Sequence, residues 1–444
     1  MNNKSVFKVF LRYVSLNILG QIAFSCYTLA DTYFVSASLG ADGITALNLA
    51  FPMFCLINGT GLMIGMGGGT RYSILNSRGE GSGVFSAAVC MAAGAAAAFM
   101  LAGIFFSGPL ARALGADETV FSMTRTYLKV MLLFAPAFLF NHLLQCFVRN
   151  DGAPSLSMAA MTLGSLSNIV LDYLFIFPMN MGIFGAIFAT GLAPVISMAV
   201  LSSYFFRGKN RFRLAGPLPG RRGMLEILSS GVPPFVTETT SGVVMLLFNF
   251  IILGLKGNTG VAAFSIITVI SLVVAAIYTG LSQGVQPILS LNHGAGNRSN
   301  VNAILKYAMV TVLLLSGVIY SVIFFGAPQL ASIFNSERNE VLQAFAVAGL
   351  RLYFLACPFM GFNIVMAIYF TSTERPRPGQ IISLLRGFFI LIPAALLLSA
   401  ALKMTGVWCA FPVTECASAL AGLALYLWEE RGKREAFACK GLEL

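Results

Sequence analysis

Twelve apolar runs, each near the roughly 20 residues a helix needs to cross the hydrocarbon of a bilayer, fill this sequence almost end to end. They lie near 11–36, 44–70, 83–106, 120–147, 155–178 and 183–206, then near 225–255, 260–290, 302–326, 340–371, 378–402 and 406–428. In lipid a spanning backbone must satisfy its own hydrogen bonds, so each run is expected to be a helix. Composition agrees: 57% of residues are hydrophobic and 10% charged, with a mean hydropathy of +0.82. A soluble domain carries roughly 25% charged residues, too many for this chain to imitate.

The net charge of +11 raises nucleic acid as a partner, but the basic residues sit in short loops between apolar runs. That distribution belongs to the cytoplasmic loops of a membrane protein. With the N-terminus inside, 21 of the 28 Lys and Arg fall on the inner side; the other seven are Arg112, Arg125, Lys129, Lys256, Arg338, Arg351 and Lys403. The bias predicts a multi-pass protein of the cytoplasmic (inner) membrane with both ends cytoplasmic and no cleaved leader. Eight cysteines are scattered, without Cys-x-x-Cys or metal spacing to histidine, and are read as small apolar residues.

The longest polar interruption, near Arg207–Met224, divides the chain almost in half, and the halves repeat. Pro136-x4-Asn141-x12-Pro154 recurs as Pro358-x4-Asn363-x12-Pro376. Gly182-Ile-Phe-Gly-Ala186-x3-Thr190 recurs as Gly406-Val-Trp-Cys-Ala410-x3-Thr414, and Gly61-Leu-x2-Gly65 as Gly280-Leu-x2-Gly284. The offsets are 222, 224 and 219, in the same order. The expectation is an all-α membrane protein of twelve transmembrane helices in two pseudo-symmetric six-helix bundles. Its parts are an N-terminal lobe (1–206), a basic cytoplasmic linker (207–223), a C-terminal lobe (224–430) and a cytoplasmic tail (431–444). Parallel repeats of this kind are a transporter architecture, with the substrate site between the lobes.

The glycine cluster Gly65-Met-Gly-Gly-Gly69-Thr70-Arg71 lacks the lysine of a nucleotide loop and ends a membrane helix, so no nucleotide is expected. Two histidines and no catalytic constellation argue against an enzyme, and no cofactor is implied. Uphill transport would then draw on an ion gradient. A carboxylate at the bilayer centre costs at least ~3 kcal/mol on insertion scales, which singles out Asp31, Asp172, Glu238 and Glu415. Asn168 lies one turn before Asp172 on the same face, and Thr190 in the sixth helix adds a further oxygen. Such a cluster can hold a proton, through two carboxylates in low dielectric, or an alkali ion such as Na⁺, through hard oxygen ligands. Shifted by 222, Asn168 and Asp172 become Ile390 and Ala394, which places the coupling site in the first lobe.

Each of these residues also has a structural reading. Asp31 would stitch helices, Asp172 would face solvent near a helix end, and Glu415 would be a buried structural acid. His142, beside Asn141, would be a satisfied core histidine. Arg71, Arg149 and Arg386 are read as helix-end side chains that snorkel to water. Candidates for a substrate cavity are Glu238, Asn141, Asn249, Phe24, Tyr27, Phe34, Met158, Met161 and Phe248.

The run Asp31-Thr-Tyr-Phe-Val35…Gly40…Ala46-Leu-Asn-Leu-Ala-Phe-Pro52 resembles the helix 1–2 signature of the multidrug and toxin extrusion (MATE) family. The resemblance continues through Gln145-x3-Arg149-x2-Gly152, Asn168-x3-Asp172, Gly182-x2-Gly185-Ala186 and Gln283-Gly-x-Gln286-Pro287-x2-Ser290-x-Asn292-x-Gly294-Ala295. It covers nearly the whole chain, in order, and is nearest the DinF-like branch with its MepA-like multidrug exporters. It implies alternating access by two six-helix bundles and export of lipophilic, mostly cationic drugs and toxins in exchange for H⁺ or Na⁺. By the same resemblance the DinF-like cation site maps onto Asp31, Asn168, Asp172 and Thr190. The NorM-like branch instead carries Na⁺ on acids of helices 7 and 10. Here Glu238 stands about one turn early in helix 7 and residues 349–371 hold no acid, so a second-lobe sodium site is not expected.

The partners expected are therefore small lipophilic cations and membrane lipids, with the chain acting as a monomer. The nearest rival is a flippase for a lipid-linked or other amphipathic metabolite, which calls for a strongly basic cavity. A passive channel or receptor is the rival of another class.

Overall fold

A computed structural model describes residues 3–81, 83–214, 220–335 and 339–441. Residues 215–219 of the expected linker, the last three of the expected tail, and Arg338 lie outside them. Among the described residues the chain is helical throughout, with short turns.

The helical stretch Asn3–Ser77 is 75 residues long, about 110 Å at helical rise and far more than one bilayer. Gly40 divides it, with φ 63° and ψ −147°, a region essentially reserved for glycine. This gives α1 (3–39) and α2 (41–77). α3 is Val84–Ala113, α4 is Phe121–Leu133 continued by Ala135–Asn150, α5 is Pro154–Ile176 and α6 is Gly182–Phe206. The next six are α7 (Arg221–Gly257), α8 (Thr259–Gly294), α9 (Arg298–Phe334), α10 (Glu340–Ser372), α11 (376–402) and α12 (404–441). The α7–α8 break falls at Gly257, with φ 60° and ψ −153°, nearly the geometry of Gly40. Lys403, with φ 53°, separates α11 from α12. The twelve helices of the described residues correspond to the twelve apolar runs.

The repeat written in the sequence is also a repeat of local structure. α4 bends by 46° around Phe134, and α10 tightens into a 3₁₀ turn over Phe354–Ala356. Both distortions lie just before the repeated prolines, Pro136 and Pro358. Proline removes a helical hydrogen bond and crowds the carbonyl four residues back. α5 and α11 each open on the other repeated proline, Pro154 and Pro376, in the first helical turn where a missing N–H is harmless.

The described residues form two compact units. One contains those of 1–245, 269–308 and 372–374, the other those of 246–268, 309–371 and 375–444. In the first, Phe212 is 2% exposed and packs on Phe85, Phe147 and Tyr72, while the Arg211 backbone N–H donates to Asp151 at 2.8 Å. The start of the basic segment after α6 is thereby pinned to the bundle. In the second, Trp408 stacks on Phe264 and Phe264 on Phe248. On α9, Leu314, Val318, Val322 and Phe325 recur at helical spacing with 63–76% exposure. An apolar stripe of this size belongs in lipid.

Candidate functional site

α1 and α5 run side by side in a constant register. Arg12 donates to Ser155, Gly20 packs on Met161, and Phe34 meets Tyr173 and Phe177. A partner offset near 141 along the whole length means parallel helices, and it sets Asp31 level with Asp172. Both are buried, as are Asn168 and Thr190. Asn168, with its amide set so that both ends find partners, donates to Asp172 Oδ2 at 3.0 Å and accepts from the Thr190 backbone N–H at 3.2 Å. The Thr190 hydroxyl donates to Ala186 O at 3.0 Å. The four residues named from the sequence thus draw together helices α1, α5 and α6.

Asp31 Oδ1 and Asp172 Oδ1 are each buried with no hydrogen-bond partner among the described residues. Neither carboxylate forms an ion pair there. They lie within electrostatic reach of each other, and Tyr27 and Tyr127 within reach of both. Two carboxylates with free lone pairs, an amide and a hydroxyl make an oxygen-rich donor set. It suits a shared proton or a small hard cation, and the orphaned Oδ1 atoms are the lone pairs such an ion would use.

A neighbouring, partly open cavity lies within the first unit. Of the residues named in advance, Phe24, Tyr27, Asn141, Met161 and Glu238 line it. Met158, Phe34, Phe248 and Asn249 do not. Phe34 packs on Tyr173 and Phe177, and Met158 accepts from Thr162. Phe248 is fully buried against Phe264, and it and Asn249 belong to the second unit. Glu238 reaches the cavity because α7 closes on α2 at two glycines. A Cβ on Gly231 would run into the Met63 carbonyl oxygen, and one on Gly67 into the Ile227 carbonyl oxygen.

Several further residues line the cavity, among them His142, which the sequence marked but did not place there. His142 Nε2 lies 2.9 Å from Asn58 Oδ1, so the ring carries its proton on that nitrogen if the Asn58 oxygen faces it. Gln145 donates to Asn141 Oδ1 at 3.2 Å and to Ser197 Oγ at 3.3 Å. Gln145 was visible as part of the Gln145-x3-Arg149 pattern; nothing in the local sequence marks Asn58 or Ser197.

Two of the three arginines read as snorkelers are inside the protein. Arg149 is 1% exposed and donates to Asn17 Oδ1 at 2.9 Å and Gln283 Oε1 at 2.8 Å. The last turn of α4 is covered by α1 and α8, so the side chain meets amides before it reaches water. Beside it Gln286 donates to Thr70 Oγ1 at 2.8 Å and exchanges hydrogen bonds with Asn150. Arg386 is 9% exposed and ion-paired with Glu415 at 2.6 Å. Arg71 is partly exposed and pairs with Glu226 at 2.6 Å and Glu374 at 2.8 Å.

A family model described as MatE matches residues 17–174 and 233–397, most of each half. The chain belongs to the MatE family. As a MatE protein it is a multi-pass membrane transporter. It is 27% identical over 433 residues to multidrug export protein MepA of Staphylococcus saprophyticus, covering 96% of this chain and 95% of that one. MepA of Staphylococcus aureus is 26% identical over 434 residues with the same coverage. The fold superposes with a TM-score of 0.88 on an outward-facing multidrug resistance MATE family transporter of the MOP superfamily, at 22% identity, covering 98% of this chain and 96% of the other. A MOP superfamily transporter from Pyrococcus furiosus, described as having a binding pocket of reverse polarity, gives 0.85 at 23% identity, covering 96% and 95%.

Proposed function

We propose that this MatE protein is an antiporter that exports lipophilic, mostly cationic molecules from the cytosol or inner leaflet in exchange for H⁺ or Na⁺. The observation that carries the reading is the pair of buried carboxylates without an ion pair among the described residues, Asp31 and Asp172, with Asn168 bonded to Asp172 and to the Thr190 backbone beside the cavity. Leaving such groups in hydrocarbon without a counter-charge is costly unless a cation comes and goes. The family relationship to MepA supports a multidrug role.

The cavity lining supports the sign of the substrate. Among the described residues it contains Glu238 as its acid and no Lys or Arg, with Phe24, Tyr27 and Phe138 as apolar surfaces. A flippase for an anionic lipid-linked sugar would call for the opposite charge. In the cycle, the carboxylate pair free of its ion favours entry of a cationic substrate. Ion binding from outside then favours release, because the two ligands stabilise different states.

In this cycle the chain works as two six-helix lobes, 1–206 and 224–430, joined by the basic segment 207–223, with both termini and the tail in the cytoplasm. Alternating access requires the closed contacts of the first unit to part, above all Gly231 on Met63 and Gly280 on Ile18. Membrane lipids are the surrounding partner and the chain acts as a monomer.

The test is uptake of an ethidium-like dye by proteoliposomes with imposed ΔpH or ΔNa⁺. Transport is expected only with one of these gradients, and Asp31→Asn or Asp172→Asn should each lower it at least about tenfold, the range set by losing a charge group central to the step. Equal flux without either gradient, or wild-type activity in both variants, would overturn the proposal.

A further inference from the structure

The second half carries a buried charge pair at positions whose first-half counterparts are uncharged. Arg386 donates from Nε and Nη2 to Glu415 Oε1 at 3.0 and 2.6 Å. Asn363 donates to Glu415 Oε2 at 2.7 Å and to the Glu415 carbonyl at 2.9 Å. Both carboxylate oxygens are thus satisfied, and Glu415 is 1% exposed. Among the described residues no other acid or base hydrogen-bonds or ion-pairs with it.

The repeat shows what these residues replace. At the offset of 222, Asn363 corresponds to Asn141 and Arg386 to Gly164, and both first-half residues line the cavity. At the offset of 224 that aligns Thr414 with Thr190, Glu415 corresponds to Gly191. A glycine on a cavity wall has become a guanidinium, and a second glycine has become the acid that receives it. The backbone differs as well. α5 is regular from Pro154 to Ile176, whereas α11 widens into a π-helical turn over Leu385–Phe389, the turn that holds Arg386. Such turns are uncommon and gather at functional positions.

We infer that Arg386 is a tethered cation. It stands at the second-half counterpart of the first-half cavity wall and keeps Glu415 in a closed ion pair, so the second half takes up no coupling ion. Removing the guanidinium turns Glu415 into a cation site. This rests on the cation-exchange reading above. It also gives a physical reason for a single coupling site in a duplicated fold: one half leaves its carboxylates open, and the other carries its counter-ion covalently.

The experiment counts cations bound per chain on purified full-length protein in nanodiscs, as protons taken up and ²²Na⁺ retained near neutral pH. Arg386→Met is expected to bind one cation more than wild type. The double variant R386M/E415Q should return to the wild-type number, because a buried pair replaced by neutral groups of similar size is well tolerated. Equal counts in R386M and R386M/E415Q overturn the inference. So does a double variant binding one cation fewer than wild type, since Glu415 would then bind an ion despite Arg386. If R386M does not fold, R386Q takes its place and is compared in the same way with R386Q/E415Q. Loss of all cation binding in wild type would instead sink the exchange reading, and would leave the comparison of R386M with R386M/E415Q intact.

Discussion

Arg149 illustrates how a charge is kept inside this protein without an opposite charge. Its Nη1 donates to the amide oxygens of Asn17 and Gln283 and its Nη2 to Cys146 Sγ, while Nε is buried without a partner, and no ion pair is formed among the described residues. Truncation would strand both acceptors in a dry interior, where each unsatisfied group costs about 1–3 kcal/mol. We expect Arg149→Met to lower the unfolding midpoint in detergent clearly, and Arg149→Lys to fall between it and wild type, since one ammonium cannot match the fixed fork of a guanidinium. A midpoint unchanged in Arg149→Met would show that the amides find other partners. Asp31 and Asp172 likewise each leave one buried atom without a partner among the described residues, but there it is a carboxylate oxygen, a lone-pair donor that a cation can use.

Among the helices, the decisive contacts are made through glycine. α2 and α7 approach so closely that any side chain at Gly231 would collide with the Met63 carbonyl. Backbone cannot yield as a flexible side chain can, so the helices must separate. Gly231→Val is therefore expected to lengthen the distance between spin labels at positions 76 and 222 and to reduce dye export, while the protein remains folded. Gly231→Ala should do the same to a lesser degree. An unchanged distance with normal export would mean that this contact is not part of the cycle. Glu238 sits on the cavity for the same reason: its helix is held there by the glycine contact at Gly231, not by its own chemistry.

Taken together, the cytoplasmic ends expected from the Lys and Arg distribution meet at Glu374. Its carboxylate accepts from Arg71 and Arg78 and faces His293 at 3.4 Å, while its backbone holds φ 60°. Its first-half counterpart is Gly152, which takes positive φ freely. A non-glycine residue is strained there, and the three basic partners supply an offset. Burial pushes the Glu374 carboxyl up, but the Arg78 hydrogen bond and the charges of Arg78, Arg71 and His293 outweigh it, holding it below the ordinary 4.5. Stability from the ionised form is thus complete above that ordinary value and lost as pH falls through the lowered native one. With the side chain about 30% exposed, screening limits the contribution to about 1 kcal/mol. Wild type should exceed Glu374→Gln in unfolding midpoint at pH 7, and the gap should close as pH drops below 4. A gap constant across that range would contradict the assignment.

Helix number, the internal repeat and the grouping of the buried acids Asp31 and Asp172 with Asn168 and Thr190 were all legible in the linear chain, because hydrocarbon permits few structures and makes a buried acid conspicuous. Asp31, Asn168, Asp172 and Thr190 stood out by type and helical spacing alone. Where Arg149 and Arg386 ended was not legible, since snorkelling and burial differ only in whether another helix covers the same turn. The cavity wall divides the same way: Tyr27 and Glu238 were foreseeable, whereas Asn58 and Ser197 acquire a role only once α2 and α6 face it. One-dimensional spacing fixes which residues share a helix face. Which faces then meet is settled by close packing between helices distant in sequence, and that packing turned one half into an open carboxylate site and the other into a closed ion pair.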